Sequence, residues 1–167
     1  MDWDFGAPER KYHRPEAGLV VTEGRVVEGY ASLFGVEDLA GDVVRAGAFA
    51  RTLARGGPVG MLLSHAGGRT AGRWSAIRED GRGLFVRGFV SDATPAGRAA
   101  LTLIRSGTMS GLSIGFVARD WSMRTGRGRD LKEIELREIS LVTSPMLRGA
   151  RCGLAGTAIT NGVRRAS

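Results

Sequence analysis

Hydrophobic and polar residues alternate along most of this chain with a period near two, and the apolar stretches are short. "LVVTEGRVVEGYASLF" (19–34) predicts two strands rich in β-branched residues around a Glu23-Gly24 turn. "VGMLLSH" (59–65) and "AGRWSAIRED" (71–80) predict two more, and "GRG" (81–83) a hairpin turn into "LFVRGFV" (84–90). "SGLSIGFVARDWSM" (110–123) and "LKEIELREISLV" (131–142) predict a final pair, joined through "RTGRGRD" (124–130).

The period lengthens in only two places. Residues near 46–55 predict a short helix ended by Gly56-Gly57. "TPAGRAALTLIRSG" (94–107) predicts a clearer one, with Thr94 as N-cap, Pro95 in the first turn and Gly107 as the stop. Seven or so short strands with two helices imply an α+β domain on a mostly antiparallel, closed or strongly curved sheet. Residues 1–17, polar and holding Pro8 and Pro15, are expected to form a flexible arm. The domain itself is expected over 18–148, and 149–167 as a loose tail.

Composition changes this picture little. The 167 residues suffice for one domain with a real core. No apolar run approaches the roughly 18 residues that span a bilayer, and the acidic, polar start "MDWDFGAPERKY" does not read as a signal peptide. A single cysteine, Cys152, excludes an internal disulfide framework and fits a reducing cytoplasm. The net charge of +7 is carried almost entirely by arginine, the only lysines being Lys11 and Lys132. Those arginines are spread along the chain without a nucleic-acid-binding signature, so nucleic acid is expected as at most a non-specific partner.

Candidate chemistry begins at Gly111-Leu-Ser113-Ile-Gly115, a G-x-S-x-G pattern. In an α/β-hydrolase a histidine follows the serine, and a helix follows the motif. Here the only histidines are His13 and His65, both upstream, and the predicted helix precedes the motif. That fold is excluded. Alternation in "KEIELREISLV" places Glu138 on the parity of Ile134, Leu136, Ser140 and Val142, and alternation in "VGMLLSH" places His65 with Met61 and Leu63. A carboxylate and an imidazole on otherwise apolar strand faces need partners, and each is what the other would need. Each residue singly also fits a structural role. Jointly, Ser113, His65 and Glu138 fit a nucleophile, a base and an orienting acid. Ser110, also before a glycine, is a rival nucleophile. Metal-ligand spacing and a nucleotide loop are both missing, so no cofactor and no metal is expected.

Five segments in this order, "GYASLFGVEDLAGDVVRAGAFARTL" (29–53), "LLSH" (62–65), "DGRGLFVRG" (80–88), "SGLSIGF" (110–116) and "EIELREISLVTSP" (133–145), resemble the prohead proteases of tailed phages. That serine peptidase family is related in fold to the herpesvirus assembly proteases. The resemblance implies a mostly antiparallel barrel with flanking helices. It also implies His65 and Ser113 in the catalytic pair, with Glu138 where the herpesvirus enzymes have a second histidine. "SPMLRGARC" departs from the asparagine- and alanine-rich loop of relatives, which leaves Arg148, Arg151 or nearby backbone N–H groups as oxyanion candidates. Asp42 recurs in the resemblance and reads as turn-forming and structural.

The implied substrate is the scaffolding segment of a major capsid protein, cut inside an immature shell in the cytoplasm before DNA packaging. The tail after residue 148 is a candidate self-cleavage target. The portal protein and a second copy of the chain are further candidate partners. The shell could belong to a phage, a prophage or a gene-transfer particle. Two other classes compete: a non-catalytic capsid-assembly factor that keeps the fold, and a basic nucleic-acid-binding barrel.

Overall fold

The computed structural model describes residues 9–12, 20–22 and 24–143. Among these, the elements in chain order are β1 (Glu9–Tyr12), β2 (Val20–Thr22), β3 (Val26–Leu33), β4 (Val43–Val44), α1 (Ala50–Arg55), β5 (Gly60–Leu63), β6 (Thr70–Glu79), β7 (Gly83–Val90), α2 (Pro95–Arg105), β8 (Met109–Met123) and β9 (Arg129–Thr143). They build an α+β domain whose strands form one nearly closed, barrel-like sheet in the order β1-β8-β9-β5-β6-β7-β3-β2, with β4 also on β9. β3 packs close to β8, which brings the two ends of the path together.

Local chemistry accounts for the helices. Thr94 caps α2 by accepting from the Gly97 N–H at 3.0 Å, and Pro95 occupies the first turn, where no N–H is needed. The apolar face of α2 (Ala96, Ala100, Leu101 and Ile104) lies in the core with Met61, Leu84, Val86, Ile114, Phe116, Ile139 and Leu141 from the strands. α1 ends at Gly56, whose φ of 64° lies in the left-handed region that glycine enters without steric cost.

The strands depart from sequence expectation in three places. Residues 9–12, inside the stretch expected to be a flexible arm, form β1, which lies antiparallel against β8. Nothing in "ERKY" alternates, and its pairing comes from the edge that β8 offers. Second, the sheet is mixed: β5 and β4 both run parallel to β9. That arrangement carries the end of β5 past the middle of β9, a proximity that alternation along one strand cannot reveal. Third, the strand expected over 59–65 stops at Leu63. Ser64 and His65 follow in a turn, both with positive φ (52° and 58°).

Candidate active site

Residues of three segments meet on one face of the β8–β9–β5 seam. Along the first half of β8 the core side holds Leu112, Ile114 and Phe116, so Gly111, Ser113 and Gly115 point the other way. In the antiparallel pairing with β9, Ser113 faces Ser140 and Gly115 faces Glu138. Cross-strand partners project to the same side, so Ser113, Ser140 and Glu138 share a face.

That placement corrects the reading of Glu138 as part of the apolar stripe. The core positions of β9 are Leu131, Ile134 and Leu136, then Ile139 and Leu141; the parity switches between 136 and 139. The register shows why: Gly115 pairs with Glu138, and the next residue, Phe116, pairs with Leu136, so Arg137 is an extra residue on β9. This β-bulge turns Glu138 and Ser140 onto the face opposite Ile139 and Leu141. The carboxylate is therefore on the active face beside the sheet, where it is partly accessible, and not in the hydrocarbon core.

His65 reaches the same place from the end of β5, though not as a strand residue. β5 pairs with β9 through Leu63 opposite Leu141, then the chain turns. The Ser64 N–H donates to the Leu141 carbonyl at 2.9 Å, the His65 N–H to Ser140 Oγ at 3.2 Å, and the Ala66 N–H to the Leu63 carbonyl at 3.1 Å. Left-handed backbone at two successive non-glycine residues costs on the order of 1–3 kcal/mol each. Two of the three bonds that hold the turn come from β9, the strand that carries Glu138.

The resulting geometry is a continuous chain of hydrogen bonds. Ser113 Oγ lies 2.8 Å from His65 Nε2, and His65 Nδ1 bonds Glu138 Oε1 at short range. A carboxylate can only accept, so Nδ1 carries the proton, and Nε2 is left as an acceptor for the serine hydroxyl. Ser140 Oγ donates to the same Glu138 oxygen at 3.2 Å. It thereby ties the acid to the backbone of the histidine, a role not foreseen from sequence. Its signal was present: a serine two residues from Glu138 shares its face.

Gly115 is required for space. A Cβ there would lie 2.5 Å from Glu138 Cγ and 2.9 Å from Oε1. Ser113 is fully buried and His65 is 6% exposed. Ser110, the rival, is buried three residues upstream at another bulge. The hydroxyl at His65 Nε2 is that of Ser113.

Clefts of about 530 and 520 Å³ lie elsewhere. The first runs from Arg25 and Val26 to Phe89 and Thr94, the second from Thr52 and Leu53 to Leu136 and Arg137, and neither is lined by His65, Ser113 or Glu138. Hydrogen bonds, rather than a shared place in either of these clefts, join the three side chains. Among the described residues no group of three or more histidine, cysteine or carboxylate side chains is placed to hold a metal ion, and none of the described helices is long and apolar enough to cross a membrane. Arg148, Arg151, Cys152, His13 and the whole expected tail lie outside the described residues.

Asp42 has the structural role read for it, and more. It is nearly buried and accepts from the Arg129 backbone N–H at 2.7 Å and from the Arg129 guanidinium at 2.7 and 3.3 Å. Glu9 of β1 takes the remaining side of that guanidinium, and the ring of Trp121 lies 5.6 Å from it. Hydrogen bonds from Arg129 to Glu9, then to Asp42, hold its pKa above the ordinary arginine value against the opposing effect of burial.

With this geometry in hand, comparison with known proteins is specific. The profile of the caudovirus prohead serine proteases matches residues 12–163. The prohead protease of Enterobacteria phage HK97 is 34% identical over 142 residues, which cover 83% of this chain and 62% of that relative. The chain thus spans less than two thirds of that relative's length. Among solved structures, the bacteriophage T4 capsid assembly protease superposes with a TM-score of 0.58 at 14% identity, covering 83% of this chain and 96% of that one. At that identity the likeness concerns the fold.

Proposed function

The chain belongs to the caudovirus prohead serine protease family, and from that premise we propose that it is a serine endopeptidase of the Ser113–His65–Glu138 type. The observation that carries this reading is the unbroken chain from Ser113 Oγ through both ring nitrogens of His65 to Glu138. Ser113 Oγ attacks the scissile carbonyl carbon while His65 Nε2 takes the hydroxyl proton. The imidazolium so formed is stabilised by Glu138, which also fixes the tautomer. Collapse of the tetrahedral intermediate expels the amine, which takes the proton back from Nε2. Water then repeats the sequence on the acyl-enzyme.

Ser140 is a positioning residue that holds both acid and base. Arg148, Arg151 or backbone N–H groups near them supply the oxyanion contact. The substrate is the scaffolding segment of a major capsid protein, cut within the immature shell before DNA enters. The tail beyond residue 148 is a further target of the same site.

Intact mass spectrometry of the capsid protein from the same particle tests this reading. It is co-expressed with the wild-type chain, with Ser113→Ala and with Ser110→Ala. An N-terminal capsid segment lost with wild type and Ser110→Ala, but kept with Ser113→Ala, is the expected result. Full-length capsid protein in all three, although shells assemble, would put a non-catalytic assembly role in its place.

A further inference from the structure

β8 is paired along both of its edges. Along its first half, one edge is paired with β9. The other carries β1, in the antiparallel register Glu9–Phe116, Arg10–Gly115, Lys11–Ile114 and Tyr12–Ser113. A protein segment therefore lies in extended form alongside the nucleophile, and its last paired residue is opposite Ser113 itself. Extended peptides are recognised in this way when they add a strand to a free sheet edge: backbone pairing gives affinity, and alternate side chains give selectivity. Strand addition needs no deep cleft, and this edge runs directly past Ser113.

The side chain that ties β1 down is Glu9. Its carboxylate meets Arg129 with both oxygens, at 3.2 Å for Nη1 to Oε1 and closer for Nη2 to Oε2. Asp42 grips the same guanidinium through its Nε and Nη2, and the Arg129 side chain is also packed at Trp121. Arg129 is thus oriented by groups of the barrel, with the fork of donors that remains facing β1. A planar fork held in this manner recognises a carboxylate in two-point fashion.

We propose that Glu9–Tyr12 holds the place of the substrate: peptides to be cut enter as a strand antiparallel to β8, and Arg129 selects an acidic residue three positions before the one that faces Ser113. The chain's own N-terminal strand is then a competing occupant, latched by Glu9. This inference rests on the protease reading and extends it to substrate selection.

The test uses the full-length chain and a fluorophosphonate, which labels an activated serine whatever the peptide specificity. Labelling is timed for wild type, Glu9→Gln and Glu9→Arg, with Ser113→Ala as the blank. Loss of one charge-assisted, two-point contact predicts labelling about 5- to 30-fold faster in Glu9→Gln, and at least as fast in Glu9→Arg. A synthetic peptide of residues 5–16 (FGAPERKYHRPE) should slow labelling of Glu9→Gln. The same peptide with glutamine at the position of Glu9 should need roughly tenfold more to do so.

Equal labelling rates in wild type and both Glu9 variants would overturn the latch, and equal potency of the two peptides would overturn selection by Arg129. Labelling absent from every form would bring down the protease reading, and this inference with it. Labelling at Ser113 that is indifferent to Glu9 and to the peptides overturns the inference alone.

Discussion

The β8/β9 hairpin carries two polar clusters, one at each end, and each joins a basic side chain to carboxylates. Near the turn, Arg129 is gripped by Asp42 and Glu9. Near the open end, His65 bridges Glu138 and Ser113. The difference lies in the proton. A guanidinium gives up its proton only far above any physiological pH, and here its partners raise that threshold further. The cluster at the turn is therefore a fixed ionic clasp. The two nitrogens of the His65 imidazole bond an acceptor and a hydroxyl, so the other cluster can pass a proton.

Removing the end of the relay has the largest expected effect. Ser113→Ala should lower turnover by about 10⁴-fold or more while leaving thermal stability near wild type, since a small residue remains in a small space. Progress of capsid-protein cleavage alongside a melting curve reads both. A large drop in melting temperature together with the lost activity would mean that Ser113 is there for packing.

The clasp should respond in the opposite way. Asp42→Asn leaves the Arg129 charge without its most buried partner and should cost roughly 3 kcal/mol of stability, read by urea unfolding. Serine labelling per folded molecule should rise no further than in Glu9→Gln, because this clasp reaches Ser113 only through the β1 latch. Labelling that becomes slower per folded molecule would show that Asp42 supports the relay itself and not only the latch.

Gly115→Ala probes the relay without touching its three members. Its Cβ would enter the space of the Glu138 side chain and push the carboxylate away from Nδ1. A loss of about 10²-fold in kcat, with KM little changed, is expected, together with a shift of the pH–rate profile that a packing defect alone would not give.

A half-buried pair sets the lower end of the scale. The Tyr30 hydroxyl donates to Asp80 at 2.7 Å. That bond is the main reason the Asp80 pKa is lowered, assisted by backbone N–H groups of Arg82 and Gly83. A carboxylate whose pKa is depressed on folding adds stability above its unfolded pKa, and that stability is lost as pH falls through the folded value. Tyr30→Phe should therefore lower the melting temperature slightly at pH 7, and the difference should vanish at acid pH, below the ordinary carboxylate range. A difference that persists there would assign the effect to something other than the Asp80 charge, since a phenylalanine keeps the ring contact with Phe85, whose centre is 5.5 Å away.

Much of the architecture was readable from local pattern. Thr94, Pro95 and Gly107 bounded the second helix because capping chemistry is local, and alternation located the long strands because a pleat repeats every two residues. The same alternation misled at Glu138. It assumes an unbroken strand, and Arg137 at the bulge breaks the count. Glu138 was selected for being costly on an apolar face, yet it lies on the other one. His65 was likewise read as a strand residue and turned out to close a left-handed turn. Both residues nonetheless belong to the hydrogen-bonded chain, because two of the scarcest polar residue types in apolar surroundings tend to be there for each other.

The sequence by itself determined which residue types were available: two histidines, both upstream of the serine, a glycine on each side of that serine, and carboxylates in the last strand. It determined as well that the chain would form curved sheet with two helices. Only the tertiary structure decided that β5 runs parallel to β9, that a bulge turns Glu138 and Ser140 toward His65, and that Glu9–Tyr12 lies along the edge of β8 beside Ser113. The physical reason is the range of the forces involved. Caps, turns and pleats are set by neighbours a few residues away. Strand order, register and the filling of a free edge depend on backbone hydrogen bonds between segments as much as a hundred residues apart, and those partners leave no mark in the local pattern.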